Sequence, residues 1–265
     1  MPNFASSGLP NPQSYDLGVP GTVIDNVTGL MWQRTVRPGN LTWERALDTC
    51  DRLELAGYHD WRLPSRIELV SILNMAETEP SIDRTAFPNT PSDWFWSSST
   101  AAESPTAAWY VYFYFGYPKV EEQSSPFRVR CVRTANPPPD AGDADSHYEV
   151  GSASVGDRGT GLTWQRAVAP RSFAFHAAVD YCGQLSLDGH KDWRLPSMPE
   201  LETLIDEGAS APAIDGSTFP AAPSDSFWTS SLFGNKSAEA WYVAFDHGQA
   251  LYGLLKATHR VRCVR

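Results

Sequence analysis

The hexapeptide Asp60-Trp61-Arg62-Leu63-Pro64-Ser65 recurs letter for letter as Asp192-Trp193-Arg194-Leu195-Pro196-Ser197, 132 residues further on. Held at that offset, residues 25–133 run onto residues 157–265 with no insertion or deletion, and 47 of the 109 aligned pairs are identical. That is one domain written twice. A unit of this length exceeds the roughly 20–50 residues of solenoid and propeller repeats, so each copy is expected to close its own core.

Working outward from DWRLPS, the serine opens an S-x-x-E pattern in both copies, Ser65 to Glu68 and Ser197 to Glu200. Such a pair satisfies free amides of a first helical turn from both ends, so the hexapeptide is the run-in to a helix. Leu69, Ile72 and Leu73 supply the apolar face of that helix, matched by Leu201, Leu204 and Ile205. Upstream, Ala46, Cys50 and Leu53 recur at helical spacing as Ala178, Cys182 and Leu185. This predicts a helix at about residues 43–55 and 175–187 with its cysteine facing inward, closed by Gly57 and Gly189 as C′ glycines. Each copy opens on a hairpin, Val23 to Asp25 with Leu30 to Gln33, and Val155 to Asp157 with Leu162 to Gln165.

Downstream, the loops at residues 80–91 and 212–223 share I-D-x-x-x-F-P-x-x-P-S-D, with the Phe as a buried anchor. FWSSS and FWTSS follow, then strands that begin at Ala108-Trp109-Tyr110-Val111 and Ala240-Trp241-Tyr242-Val243, and RVRCVR closes each copy. If RVRCVR is a strand of alternating faces, Val129, Cys131 and Arg133 share one side and Arg128, Arg130 and Val132 the other. The domain map is an N-terminal arm at 1–20, a first domain at 21–134, a Pro/Asp-rich linker at 135–148 and a second domain at 149–265. The expected class is α+β, two helices and a small twisted antiparallel sheet per domain. Aromatic richness (10 Trp, 10 Tyr, 12 Phe) beside 21 Pro and 19 Gly favours short strands and turns over long helices.

The net charge of −10 argues against a nucleic-acid or anionic-membrane binder, which repulsion would oppose outside a local basic patch. No run approaches the ~20 apolar residues of a spanning helix. Met1-Pro2-Asn3-Phe4 lacks the regions of a secretory signal, which points to a mature form or another route of export. Cys50 and Cys131 match Cys182 and Cys263, one even pair per domain, as expected if each domain closes its own disulfide; the alternative is four buried thiols in a cytosolic protein. None of the six histidines is present in both copies, which removes a shared zinc site, and no cofactor is implied.

Three constellations invite a chemical reading. Asp-Trp-Arg has no His or Cys companion in both copies, so Trp61 and Trp193 read as core plugs, with Arg62 and Arg194 paired to acidic neighbours or loop carbonyls. The serine runs have no matched His and no nucleophile elbow, which argues against a serine hydrolase. The arginines of RVRCVR can grip anionic groups bidentately, or be held internally by Asp83/Asp215 or Asp93/Asp225.

The informative positions are those where the copies differ. Alternation along YVYFYFGYP puts Trp109, Val111 and Phe113 inside and Tyr110, Tyr112 and Tyr114 outside, with Tyr117 at the turn, whereas the second copy has Tyr242, Ala244, Asp246 and Gln249 there. A tyrosine row on a solvated face means that something covers it, a ligand or the second domain, unless these are scattered aromatics needing no explanation. The candidate ligand site is Tyr110, Tyr112, Tyr114 and Tyr117, with Arg128 and Arg130 as polar partners.

The order TGLMWQ, cysteine helix, GYxDWRLPS, WSSS, AWYVxF and RVRCVR resembles the Lcl C-terminal domain family, named after the C-terminal domain of a Legionella collagen-like adhesin, over both copies nearly end to end. The resemblance implies a C-type-lectin-like α+β fold on secreted or cell-surface bacterial proteins. It implies binding rather than catalysis, with a glycan or surface protein as ligand in adhesion, or a structural and protein-interaction role in a surface appendage or assembly. No Gly-X-Y collagen stalk is present, so trimerisation through such a stalk is not implied. The EPN, QPD and WND motifs of calcium-dependent lectins are absent too: Asp93-Trp94 and Asp225-Ser226 do not reproduce them, and binding without calcium is expected. Formylglycine-generating enzymes share the wider fold, but no matching catalytic cysteine pair stands here.

Overall fold

The structure, a computed structural model, describes residues 1–135, 147–234 and 238–265. It divides into two units, Met1–Pro138 and Pro139–Arg265. Of the linker reading at 135–148, residues 136–146 lie outside the described residues, and Tyr148 belongs to a strand of the second unit.

In the first unit the chain order is β1 (Tyr15–Asp16), β2 (Thr22–Asp25), β3 (Leu30–Gln33), α1 (Trp43–Asp51), α2 (Arg66–Ser71), β4 (Trp94–Ala101), β5 (Ser104–Tyr112), β6 (Tyr117–Glu122) and β7 (Val132–Thr134). The second runs β8 (Tyr148–Val150), β9 (Ser154–Asp157), β10 (Thr163–Gln165), α3 (Phe175–Gln184), α4 (Met198–Glu202), β11 (Ser226–Leu232), β12 (Glu239–Ala244) and β13 (Gln249–Leu254). Each unit is α+β with two antiparallel sheets: β1-β2-β3-β7 and β4-β5-β6 in the first, β8-β9-β10 and β11-β12-β13 in the second.

Every position of the hexapeptide has a structural duty, Pro64 through its carbonyl, which accepts from the Ser98 amide at 2.7 Å. Asp60 grips Arg133, at the end of RVRCVR, through both carboxylate oxygens at 2.7 and 3.0 Å. Trp61 and Leu63 are plugs, each 2% exposed. Arg62 holds Glu68 by a fork of two hydrogen bonds, 2.7 and 2.6 Å, and exchanges main-chain bonds with Val132. The same Glu68 carboxylate accepts from the Ser65 amide while Ser65 Oγ accepts from the Glu68 amide, completing the capping box. The second copy repeats the lock with Asp192–Arg265, Arg194–Glu200 and Ser197. Disulfides Cys50–Cys131 and Cys182–Cys263 tie the inward faces of α1 and α3 to the closing segments.

Four sequence expectations need correction. The first helices stop at Asp51 and Gln184, so Gly57 and Gly189 are not their C′ residues. Gly57 instead takes φ +80° inside a tight Leu55–Tyr58 turn that places Trp61. The arm at 1–20 is part of the first unit: β1 adds to β2, and Tyr15 packs edge-on against Phe87 as Tyr148 of β8 does against Phe219. Tyr15 pairs with Asp25 and Tyr148 with Asp157, so a one-residue difference in the connection hides this part of the repeat from a gap-free match. RVRCVR is extended but is no continuous strand: Arg128 bridges to Phe95 of β4, the segment enters the other sheet only at β7, and the second copy touches both sheets by single bridges; nearly all its side chains are buried, because it passes between two layers.

The fourth correction concerns Tyr110, 7% exposed and lodged in a second hydrophobic core with Trp61, Trp96, Cys50, Cys131 and Phe127. The β4-β5-β6 sheet is covered on both faces. Phe95, Val111 and Phe113 fill one side, and Trp96 and Tyr110 meet the disulfide layer on the other. Alternation therefore sorts these residues between two interiors rather than between core and water.

Candidate functional site

Beyond Tyr110 the second core runs out and the row reaches the surface. Trp94 of β4 stands opposite Tyr112 of β5, which stands opposite Tyr117 of β6, so one sheet face carries three aromatics abreast. Their spacing follows from antiparallel pairing, which sets opposed Cβ atoms about 5 Å apart. The β5–β6 turn brings Tyr114 and Phe115 to the same place. It closes through Gly116, whose φ of +79° and 3.0 Å approach to Ser81 leave no room for a side chain.

The rings form an ordered platform. Trp94 stacks on Tyr112 with centroids 5.4 Å apart and planes 24° apart, and Tyr112 stacks on Tyr114 at 5.7 Å and 19°. Tyr117 and Phe115 meet Tyr112 edge-on at 5.6 and 6.1 Å, and Phe127 backs Trp94 at 5.5 Å. Trp94 is 40% exposed, one of the most open large apolar side chains in the protein, while Tyr112, Tyr114, Phe115 and Tyr117 are half-buried. A hydrogen bond to the Glu79 carboxylate raises the Tyr114 hydroxyl above its ordinary value, so it stays protonated and fixed at the platform's end.

The two arginines chosen from the sequence have other duties. Arg130 is fully buried and donates to the Gln33 and Arg34 carbonyls at 2.6 and 2.9 Å and to Thr90 Oγ1 at 2.7 Å, with its guanidinium 4.8 Å above the Phe87 ring. Burial pulls it down to about 9, which leaves it charged at neutral pH. Arg262 repeats the arrangement on Gln165, Arg166 and Phe219. Neither reaches the surface, so Arg130 is a strut and not a ligand group. Arg128 flanks the platform but is held by Asp93 at 2.9 Å, as Arg260 is held by Asp225 at 2.8 Å. An ion pair kept in both copies belongs to the frame, as the sequence anticipated for Asp93 and Asp225.

The residue that sequence reasoning missed is Trp94. It lies outside YVYFYFGYP, and only the β4–β5 register brings it beside Tyr112. The signal was present in the offset: at Trp94, Tyr112, Tyr114, Phe115, Tyr117 and Phe127 the second copy has Ser226, Ala244, Asp246, His247, Gln249 and His259. Among the described residues, no three His, Cys, Asp or Glu are gathered as a metal ion would require, and no helix is long and apolar enough to cross a membrane.

Fold and site together define a tandem pair of disulfide-closed α+β domains, one of which bears a surface platform of stacked aromatic rings. The chain belongs to the Lcl C-terminal domain family, whose model matches residues 21–133 and again residues 153–265. A search among curated proteins finds no match.

Proposed function

We propose that this is a non-catalytic, adhesin-like recognition protein of the bacterial surface or surroundings, and that its first domain binds a glycan on the Trp94–Tyr112–Tyr114 platform. The observation that carries this reading is that the frame is common to both copies while the platform belongs to one. Folding explains Trp61, Arg130 and the disulfides, which recur. It does not explain an exposed Trp stacked on a tyrosine pair that the second copy replaces with Ser226, Ala244 and Asp246 while keeping the same sheet.

Rings held by their neighbours offer the apolar faces of sugars a large contact at small entropic cost. Glu79 at the platform's end and the net charge of −10 favour a neutral or weakly acidic glycan over a sulfated one. Membership of the Lcl C-terminal domain family and the two disulfides, which persist in oxidising surroundings, support that setting.

The test is a glycan array on the full chain followed by calorimetry with the best binder. Tyr112→Ala is expected to weaken binding by about five- to a hundredfold, as one stacking aromatic contributes about 1–3 kcal/mol where rings stack on planar ligands. Trp94→Ala should do the same, and Tyr242→Ala in the second domain should do little. Binding undisturbed by both first-domain changes would sink the assignment, as would an array with no ligand at all.

A further inference from the structure

The stack of rings ends at Tyr114, and the loop beside that end carries a second feature of the first domain. Its base is tied by the Leu73–Ile82 bridge, and it holds a pocket of about 330 Å³ lined by Asn74, Glu77, Ile82, Asp83, Arg84 and Thr85. All of these but Ile82 reach the surface. Small-molecule sites span about 300–1,000 Å³, so this one suits a single small unit. Pocket and platform are neighbours. The Tyr114 hydroxyl donates to the Glu79 carboxylate, and the Glu79 amide donates to the Tyr114 carbonyl at 2.9 Å. The Arg84 guanidinium in turn donates to the Glu79 and Thr78 carbonyls at 2.8 and 3.0 Å. Glu79 therefore joins the last ring of the stack to the pocket wall.

The polar groups of the pocket are only partly used by the protein. Asn74 Oδ1 accepts from the Ala76 amide, and Asp83 Oδ1 from the amides of Thr85 and Ala86. Among the described residues, Asn74 Nδ2, Asp83 Oδ2, the Glu77 carboxylate, and Nε and Nη1 of Arg84 make no hydrogen bond. The second domain treats the same loop differently. Asp215 uses both oxygens internally, Oδ2 on the Thr218 hydroxyl, where the first domain has Ala86 and leaves Asp83 Oδ2 open. Asn74, Glu77 and Arg84 are replaced by Asp206, Ala209 and Gly216. A loop that folds without these side chains in one copy does not need them for folding in the other.

We infer that the pocket is a second subsite of the first domain, which takes a neutral, hydroxyl-rich sugar unit while another unit of the same glycan stacks on the platform. This rests on the platform reading of the proposed function, and it makes the ligand an oligosaccharide rather than a single sugar. Hydroxyls both donate and accept, and the pocket answers in kind. Glu77 and Asp83 Oδ2 accept from them, and Arg84 and the Asn74 amide donate to them. The two carboxylates oppose a sulfate or carboxylate on the sugar. Arg84 offsets part of their charge, and among the described residues no third acid, His or Cys joins them, so the pocket does not suit a metal ion.

Calorimetry of the full chain with neutral gluco-, galacto- and manno-oligosaccharides, from single sugars to hexasaccharides, tests this. In a series that binds, affinity is expected to rise with length and level off once both subsites are filled. Glu77→Ala removes a side chain bonded to nothing in the protein, and the second domain has alanine at this place. It is expected to weaken the longest oligosaccharide about tenfold or more and to abolish the gain with length. Asn74→Asp keeps the acceptor for the Ala76 amide and loses the donor, with the same result expected. Trp94→Ala and Tyr112→Ala should instead weaken every length. Binding that needs both rings yet is equal at all lengths, or is indifferent to Glu77→Ala and Asn74→Asp, overturns the subsite and leaves the platform standing. Binding by none of the three series removes the neutral oligosaccharide and the subsite with it. Binding untouched by the ring changes sinks the platform itself, on which the subsite depends.

Discussion

At the scale of single residues, one difference between the copies that bears on stability is Phe127 against His259. Phe127 packs on Trp96 and Tyr110, 4.5 and 4.9 Å away; His259 fills the same niche against Trp228 and Tyr242 at 4.3 and 4.2 Å. Its Nε2 is buried without a hydrogen-bond partner, and burial lowers the imidazole below its ordinary 6.5. A folded-state value below the unfolded one means that the unfolded chain takes up the proton first. The stability due to neutral His259 is therefore complete above about pH 6.5 and drains away as pH falls from there toward the folded value. His259→Phe should remove this loss, so that its Tm exceeds wild type by more at pH 5 than at pH 7.5. Scanning calorimetry at both values checks it. An equal difference at the two pH values would mean that His259 does not titrate as argued.

At the scale of elements, what was legible in the sequence was local or duplicated. The capping boxes, the hairpins and the inward cysteines depend on spacings within one turn or one strand, and the repeat supplied each observation twice. Three things were not legible. The first helix stops before the turn that positions Trp61; β1 is hidden by a one-residue offset; and burial on both faces of the β4-β5-β6 sheet takes in Tyr110, in a second core built from α1, Phe127 and the disulfide, and Arg130, over Phe87 on the other side. Pairing register, a long-range property, brought Trp94 into the site. The disulfides close loops between residues 81 apart, which in the chain-entropy model stabilises each domain by about 4 kcal/mol. For domains of this size that corresponds to roughly 15 °C in Tm. Replacing Cys50 and Cys131 together by Ala should lower the first domain's transition by that order and leave the second near its wild-type position. A shift of only a few degrees would place the stability in the cores and the Asp60–Arg133 lock instead.

At the scale of the whole molecule, the two copies share one frame and differ in what it carries: the first bears the aromatic platform, and the second has Ser226, Ala244 and Asp246 at the places of Trp94, Tyr112 and Tyr114. On the proposed function, ligand contact falls on the first domain alone, and it can be perturbed there without touching the second. The platform has no carboxylate and amide cluster of the kind that a hard cation with six to eight oxygen ligands requires. Glycan binding should therefore proceed equally in calcium and in chelator, and should stabilise by linkage only what it touches, by about 2.7 kcal/mol at a hundredfold excess over Kd. Hydrogen exchange of the full chain with saturating glycan and excess chelator tests both points in one experiment. Slowed exchange is expected in β4, β5 and the β5–β6 turn of the first domain, and unchanged exchange in β11 and β12 of the second. Protection that appears only with calcium, or that maps to β11 and β12, would show that recognition uses a different surface, and the stacked rings of Trp94, Tyr112 and Tyr114 would need another explanation.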